Sequence, residues 1–328
     1  MNELTPKQLR KACTARLSGA SYSPRRLAFW HTLVIVGCNL ALVLIDLLLT
    51  WLIGRYDGIA GMSMRSALET VRYILSVGVA FLLPFWEIGF LFAALHLAQD
   101  GNAEPSDLFE GFRRFGPVLR LMILEAVIFA GIAIATAYGS TFLYLMTPFS
   151  DKMVDQLLPI VEQMNVLNPQ MPELTNEQYY ATLQAMTPLF ILWGVVFTAV
   201  ALPVFYRLRM AKLSLLADDR RGALAAHHES RQIMKGRRLR LFRLDLHFFW
   251  YYLLLLLLEV VMNGEILMLI AGVEIHVLAY VGVYCVGFFL LMWLCRSRVQ
   301  TTYALFYQAA SEGEAGLPTE LPEALPEG

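Results

Sequence analysis

Residues 229–252 read ESRQIMKGRRLRLFRLDLHFFWYY and run straight into six leucines, Leu253–Leu258. Five arginines and a lysine crowd the first fifteen positions; between Arg243 and the leucines Asp245 is the one acidic residue. A dense basic segment joined to a hydrocarbon-like one is what the foot of a membrane-spanning helix requires. The leucines partition into the acyl core, while the arginines stop translocation and stay with anionic headgroups, each worth about 1 kcal/mol near the surface.

The rest of the chain repeats that contrast. Of 328 residues, 57% are hydrophobic and 16% charged, and the mean hydropathy is +0.54. Soluble domains are about 25% charged. The net charge of -1 gives no bulk attraction to nucleic acid, and no nucleic-acid partner is expected. A hydrocarbon core about 30 Å thick needs roughly 20 apolar residues to cross it. Six runs qualify: Ala28–Gly54, Arg72–Ala98, Val118–Met146, Pro188–Leu208, Leu244–Ile270 and Ile275–Cys295. The fold class is therefore all-α: a polytopic membrane protein with six transmembrane helices and interfacial amphipathic helices.

Charge sets the orientation. If the runs alternate in direction, 22 of the 26 lysines and arginines fall on one side, leaving Arg55, Arg65, Arg72 and Lys152 on the other. The positive-inside rule puts both termini in the cytoplasm of a multi-pass cell (plasma) membrane protein. The leader, residues 1–27, does not read as a secretory signal, because it is polar and no apolar run opens it. It reads as an amphipathic helix lying on the membrane, with Thr5 as N-cap, Pro6 in the first turn, Gly19 as a stop, and Leu9, Ala12, Ala15 and Leu17 on its apolar side. Residues 28–310 form the transmembrane domain, with an external helical loop at 149–187 and a basic cytoplasmic segment at 207–243. Within the loop, Asp151–Asn165 and the capping-box pattern Thr175–Gln178 predict two short helices. The acidic, proline-containing tail 311–328 is expected to be disordered. Pro84, Asp100, Gly116 and Arg120 recur as Pro203, Asp219, Gly236 and Arg240 at an offset of 119–120. This suggests a parallel internal repeat; the identities are few, and coincidence is the other reading.

The segment HESRQIMKGRRLRLFRLDLHFFWYY resembles the signature of a bacterial multi-pass membrane family catalogued as domain of unknown function 975. The match rests on Ser230, Arg231, Met234, Lys235, Gly236, Leu241, Phe242, Leu244, Asp245 and Leu246. The leader KQLRKACTARLSG, LFEGFRRFG at Leu108–Gly116, and TTYALFYQA near the end fit the same family. The resemblance implies an uncharacterised membrane protein with no established activity. A looser likeness is to the membrane domains attached to some glycerophosphodiester phosphodiesterases, without their catalytic barrel.

No phosphate-binding glycine loop, zinc-protease helix or nucleophile motif occurs. No enzymatic activity, cofactor or metal is expected. His227-His228-Glu229 looks metal-like, but adjacent side chains on a helix diverge by about 100°, so a solvated face is the favoured reading. Cys13, Cys38, Cys285 and Cys295 lack metal or disulfide spacing. Gly131, Ala135 and Gly139 make a small-residue strip for packing inside the protein or against a second copy. On an interfacial helix, Ile233 and Met234 can dip into the acyl boundary, with Gly236 turning the chain upward into the fifth span. Arg231, Lys235, Arg237, Arg238, Arg240 and Arg243 are the candidate headgroup contacts, with membrane lipids, anionic ones foremost, as the expected partners and a membrane protein partner as a further one. The functional lead inside the spans is four acids, Asp46, Glu87, Glu125 and Glu259, because ionisable groups there cost about 3 kcal/mol or more and mark sites or polar networks. Glu87 and Glu125 lie at similar depth on successive spans and are expected to share one site. The primary expectation is a non-enzymatic factor acting through lipid or protein partners in the cell envelope; the alternative is a small transporter or channel using the acids.

Overall fold

The computed structural model describes residues 5–55, 59–148, 150–151, 153–155, 176–262 and 277–311. Among these residues five helices are long and apolar enough to cross a membrane, and a sixth if a bent pair counts as one span. The chain divides into two units, residues 1–119 with 210–328, and residues 120–209.

In the first unit, α1 (Pro6–Gly19) opens on the expected N-cap, Thr5, which with Gln8 makes a capping box, each side chain satisfying the other's backbone N–H. Part of its apolar side faces protein. Leu9 and Cys13 are buried, and the Cys13 thiol lies 3.5 Å from the Arg298 carbonyl oxygen. The i,i+4 pair Leu9 and Cys13 thus seats the helix on protein, and burial pushes the Cys13 thiol pKa up.

α2 (Pro24–Ile53) begins with proline in its first turn and carries exposed large apolar side chains from Trp30 to Trp51. That stretch is about 33 Å of helix, one bilayer core, with a tryptophan at each end where interfacial aromatics anchor. At the far end the Arg55 guanidinium lies over the Trp51 ring.

α3 (Ile59–Gln99) has 41 residues. At 1.5 Å per residue it is about 61 Å long, twice the hydrocarbon thickness. Pro84 divides it. Before Pro84 the large side chains are exposed in the manner of a lipid-facing helix; from Phe85 to Ala98 most are buried in protein. α2 and α3 run antiparallel: the Trp86 indole donates to the His31 carbonyl oxygen at 3.0 Å, and Arg72 pairs with Asp46 at 2.6 Å fourteen residues back along α3.

The lower half of α3 is sheathed by a 3-10 turn, Pro105–Phe109, and by α4 (Glu110–Arg113). Glycine permits the contact. A Cβ on Gly89 would lie 1.9 Å from the Leu108 carbonyl oxygen, and one on Gly111 would lie 1.9 Å from that of Phe85. Leu27, Ala28, Ile35, Trp86, Phe90, Ala93, Leu97, Ala103 and Leu108 form the core there.

α5 (Phe115–Leu145) and α6 (Asn176–Leu208) supply the second unit. Trp193 donates to the Thr136 hydroxyl at 3.2 Å, and the Tyr144 hydroxyl reaches the Ala185 carbonyl oxygen at 3.5 Å. The capping-box segment does not start a separate loop helix; its residues from Asn176 continue unbroken into the span. Most of the first expected loop helix, Asp151–Asn165, lies outside the described residues, as do the acidic tail and the upper part of the fifth span. Gly131, Ala135 and Gly139 are exposed within the second unit among the described residues.

The first unit resumes with α7 (Ala211–Ala217), α8 (Ala223–Ile233), α9 (Arg238–His247), α10 (Phe249–Met262) and α11 (Val277–Ser311). Gly236, at φ +78°, makes the expected elbow. It leads into α9, however, and the turn into the span comes later, at Phe248, where α9 and α10 meet at 69°. Ile233 and Met234 are buried in protein and do not reach lipid. α11 runs well past the expected end at Cys295, and Val299 to Tyr307 are mostly buried. The element order of α3 to α5 recurs in α6 to α10, with a proline inside each leading helix. The glycines do not correspond in conformation, since Gly116 sits within helical α5 while Gly236 is left-handed.

Candidate functional site

The leader, Leu108–Gly116, the basic segment and TTYALFYQA come together at one end of the first unit. α1 packs on α11, the 3-10 turn and α4 pack on α3, and α8 also meets α11. Together they make a protein-packed head on the ends of α2, α3 and α11.

Ion pairs hold the head. Arg114 pairs with Glu110 at 2.8 Å and with Asp219, and donates to the Leu215 and Leu216 carbonyl oxygens at the end of α7. Those carbonyls have no intrahelical donor, so the guanidinium acts as the cap of that helix. Ser214 donates to Glu229 at 2.6 Å; Arg221 pairs with Glu229 and Asp218 and donates to the Ser214 carbonyl oxygen at 2.9 Å; the Tyr307 hydroxyl reaches Glu229 at 3.5 Å. His228 is exposed as expected for a solvated face, whereas His227 is buried and Glu229 belongs to this network. Among the described residues, no three His, Cys, Asp or Glu side chains assemble into a metal-binding group.

A second network fixes the bend. Tyr303 on α11 donates to Asp245 on α9, and its hydroxyl lies 2.7 Å from that of Tyr252 on α10. Three helices thereby meet at one phenol.

The six candidate headgroup residues have different surroundings. Arg231, Lys235 and Arg243 are exposed. Arg237 donates to the Ala310 carbonyl oxygen near the end of α11, and Arg238 and Arg240 are half-buried. α9 buries Leu241 and Leu244, and exposes Leu239, Phe242 and Leu246, with Phe249 and Trp250 just beyond. Its outward face is thus apolar and aromatic, bordered by Arg243.

Asp46, Glu87 and Glu259, all in the first unit, have different partners. Glu87 and Glu125 belong to different units. Asp46 is held by Arg72 beside a crevice of about 220 Å³ lined also by Leu42, Leu75 and Ser76. Glu259 is exposed and accepts from the Tyr284 hydroxyl at 3.3 Å. Glu125 is half-buried. None of the four is fully buried.

Glu87 meets Arg296, which the charge pattern alone left as an ordinary flanking residue. The Arg296 guanidinium pairs with Glu87, lies over the Phe90 ring at 5.2 Å, and donates to the Met292 sulfur at 3.1 Å. The Arg296 side chain is 6% exposed and that of Glu87 40%. His31 packs beside them, fully buried, its ring parallel to Trp86 and 4.5 Å from Phe90. A signal for this site was present in the sequence: TTYALFYQA, directly beyond Arg296 and Arg298, is too apolar to be a solvated tail, which places both arginines inside a longer packed helix.

The model of a family described as "Protein of unknown function (DUF975)" matches residues 29–314. No curated protein and no solved structure matches the chain.

Proposed function

We propose, from the premise that this chain belongs to the DUF975 family, that it is a non-enzymatic membrane-integrated factor whose head gathers anionic lipid headgroups at the cytoplasmic face of the cell membrane. The observation that carries this reading is α9. It meets spanning α10 at 69°, so it lies closer to the membrane plane than to the normal. Its outward face offers Leu239, Phe242 and Leu246, with Trp250 at the interface, and Arg243 beside them. That is the composition of a helix half-sunk at the headgroup boundary, where apolar burial and attraction to anionic lipid act together.

The test uses the full chain in nanodiscs of phosphatidylcholine with phosphatidylglycerol. Native mass spectrometry reads which lipids stay bound as salt is raised. Arg231, Lys235 and Arg243 changed together to Gln should abolish phosphatidylglycerol enrichment at low salt and leave the melting temperature unchanged. Equal retention of both lipids by the unaltered protein refutes the reading.

The crevice at Asp46 and Arg72 favours a second reading, a small transporter. Proton or solute flux into proteoliposomes, lost on Asp46→Asn, supports it; the ion pairs of Asp46 with Arg72 and of Glu87 with Arg296 favour the lipid-binding reading.

A further inference from the structure

We infer that Arg296 and His31 form a binding site for a phosphate oxyanion, with the Glu87 carboxylate as its built-in competitor. The inference rests on the lipid-binding reading above and deepens it, naming a second, enclosed place where a headgroup phosphate is held.

Donor accounting motivates the assignment. A guanidinium offers five N–H donors in a planar fork suited to two oxygens of one anion. Here one terminal nitrogen meets a single Glu87 oxygen, the other meets a thioether, which is a weak acceptor, and Nε has no hydrogen-bond partner. His31 is fully buried, and neither ring nitrogen has a partner. Buried polar atoms are nearly always satisfied, and each orphan costs about 1–3 kcal/mol. Both groups pack against the Phe90 ring, at 4.5 Å for the imidazole and 5.2 Å for the guanidinium carbon. The surroundings, Trp86, Phe90 and Met292, supply no strong side-chain acceptor. A phosphate group supplies several oxygens at once and would use the orphaned N–H groups.

Position supports a headgroup as the source. Trp30 marks one end of the lipid-facing stretch of α2, and His31 follows it directly. The site therefore lies at headgroup depth. Glu87 is the exposed member and stands at the mouth. To admit a phosphate it exchanges its contact with Arg296 for water, which its exposure permits. Carboxylate and phosphate compete for one guanidinium, so the site binds more tightly as the carboxylate loses its charge.

The proposal therefore predicts an opposite sign for the two members of one ion pair. In the nanodisc assay, with phosphatidic acid as the anionic lipid at 0.5 M salt to screen surface attraction, Glu87→Gln should raise retention about tenfold, because the competing state is removed. Arg296→Lys keeps the charge and loses the fork, and should reduce retention to the phosphatidylcholine level. His31→Phe keeps the aromatic packing, removes both nitrogens, and should cancel the Glu87→Gln gain without lowering the melting temperature. Inorganic phosphate in phosphatidylcholine discs forms the second arm. A rise in melting temperature of the Glu87→Gln protein with phosphate alone supports the site and assigns it to the free ion; a response to phosphatidic acid alone assigns it to lipid. Unchanged or weaker retention in Glu87→Gln overturns the proposal and leaves a static ion pair. The Arg231, Lys235 and Arg243 triple variant separates the two claims: it should lose low-salt enrichment yet keep the high-salt response to Glu87→Gln.

Discussion

Gly89→Ala tests the packing on which the head depends. The added methyl would stand 1.9 Å from the Leu108 carbonyl oxygen, 2.5 Å from its carbon and 3.0 Å from its Cα, where ordinary contact begins at 3.4 Å. All three atoms are backbone, so no rotamer change relieves the clash. α3 and the 3-10 turn must separate by about 1.5 Å, and a gap of even half to one ångström forfeits a quarter to a half of the dispersion well for the atoms along the seam. Overpacking costs about 1–3 kcal/mol where side chains can adjust, so a backbone clash belongs at or above the upper end, about 3 kcal/mol. For a unit of this size that is a fall of roughly 6–12 °C in melting temperature. Gly111→Ala acts on the same seam, since its Cβ would lie 1.9 Å from the Phe85 carbonyl oxygen and 3.2 Å from the Gly89 nitrogen. Once the seam has opened for one methyl the second costs less, so the double variant should lose clearly less than the sum of the singles. The assay is thermal unfolding of the purified chain in detergent, with Gly78→Ala as control, because nothing lies within 4 Å of a Cβ there. A Gly89→Ala protein melting within 2 °C of the control refutes the reasoning.

Arg114→Ala should destabilise by about 1–3 kcal/mol, because half-buried Glu110 loses the closer of its two arginine partners and the α7 carbonyls lose their donor; thermal unfolding of the single and the Arg114→Ala/Glu110→Ala double variant measures it. Tyr303→Phe removes the hydroxyl shared by Asp245 and Tyr252, and should cost about 1–2 kcal/mol and raise proteolysis at the bend between α9 and α10; an unaltered digestion pattern would show that the bend is held elsewhere. In a background without the four native cysteines, an impermeant thiol reagent applied to intact cells should label position 55 and leave position 243 silent; the reverse pattern inverts the topology.

Much of the membrane architecture was legible because hydrocarbon thickness imposes a length on an apolar run. The run Ala28–Gly54 became α2 within a few residues, and the Thr5 N-cap and the Gly236 elbow followed from local chemistry. The head was not legible for one physical reason: an apolar side chain reads the same whether its neighbour is lipid or protein. Ile233 and Met234 look fit for an acyl boundary and are inside the head. The second half of α3 reads as ordinary span and is sheathed by residues 105–113. Arg296 was visible as a charge, but its depth depends on how far α11 continues, and its partner lies more than two hundred residues away in sequence. The acids were found as residues, but not with their partners. Glu87 sits opposite Arg296, a pairing that no spacing along one helix could reveal.

The seating of α1 on α11 has a consequence for biosynthesis. α1 waits for α11: Leu9 and Cys13 acquire their cover only when residues around Arg298 have emerged. The spans can insert one after another, but this contact closes a loop of nearly the whole chain, and such closures are slow and come late. Until then the nascent protein shows apolar surface that chaperones and proteases recognise. A chain cut short after the final span, at Cys295, would be fully threaded through the bilayer and still lack the seat for its own first helix.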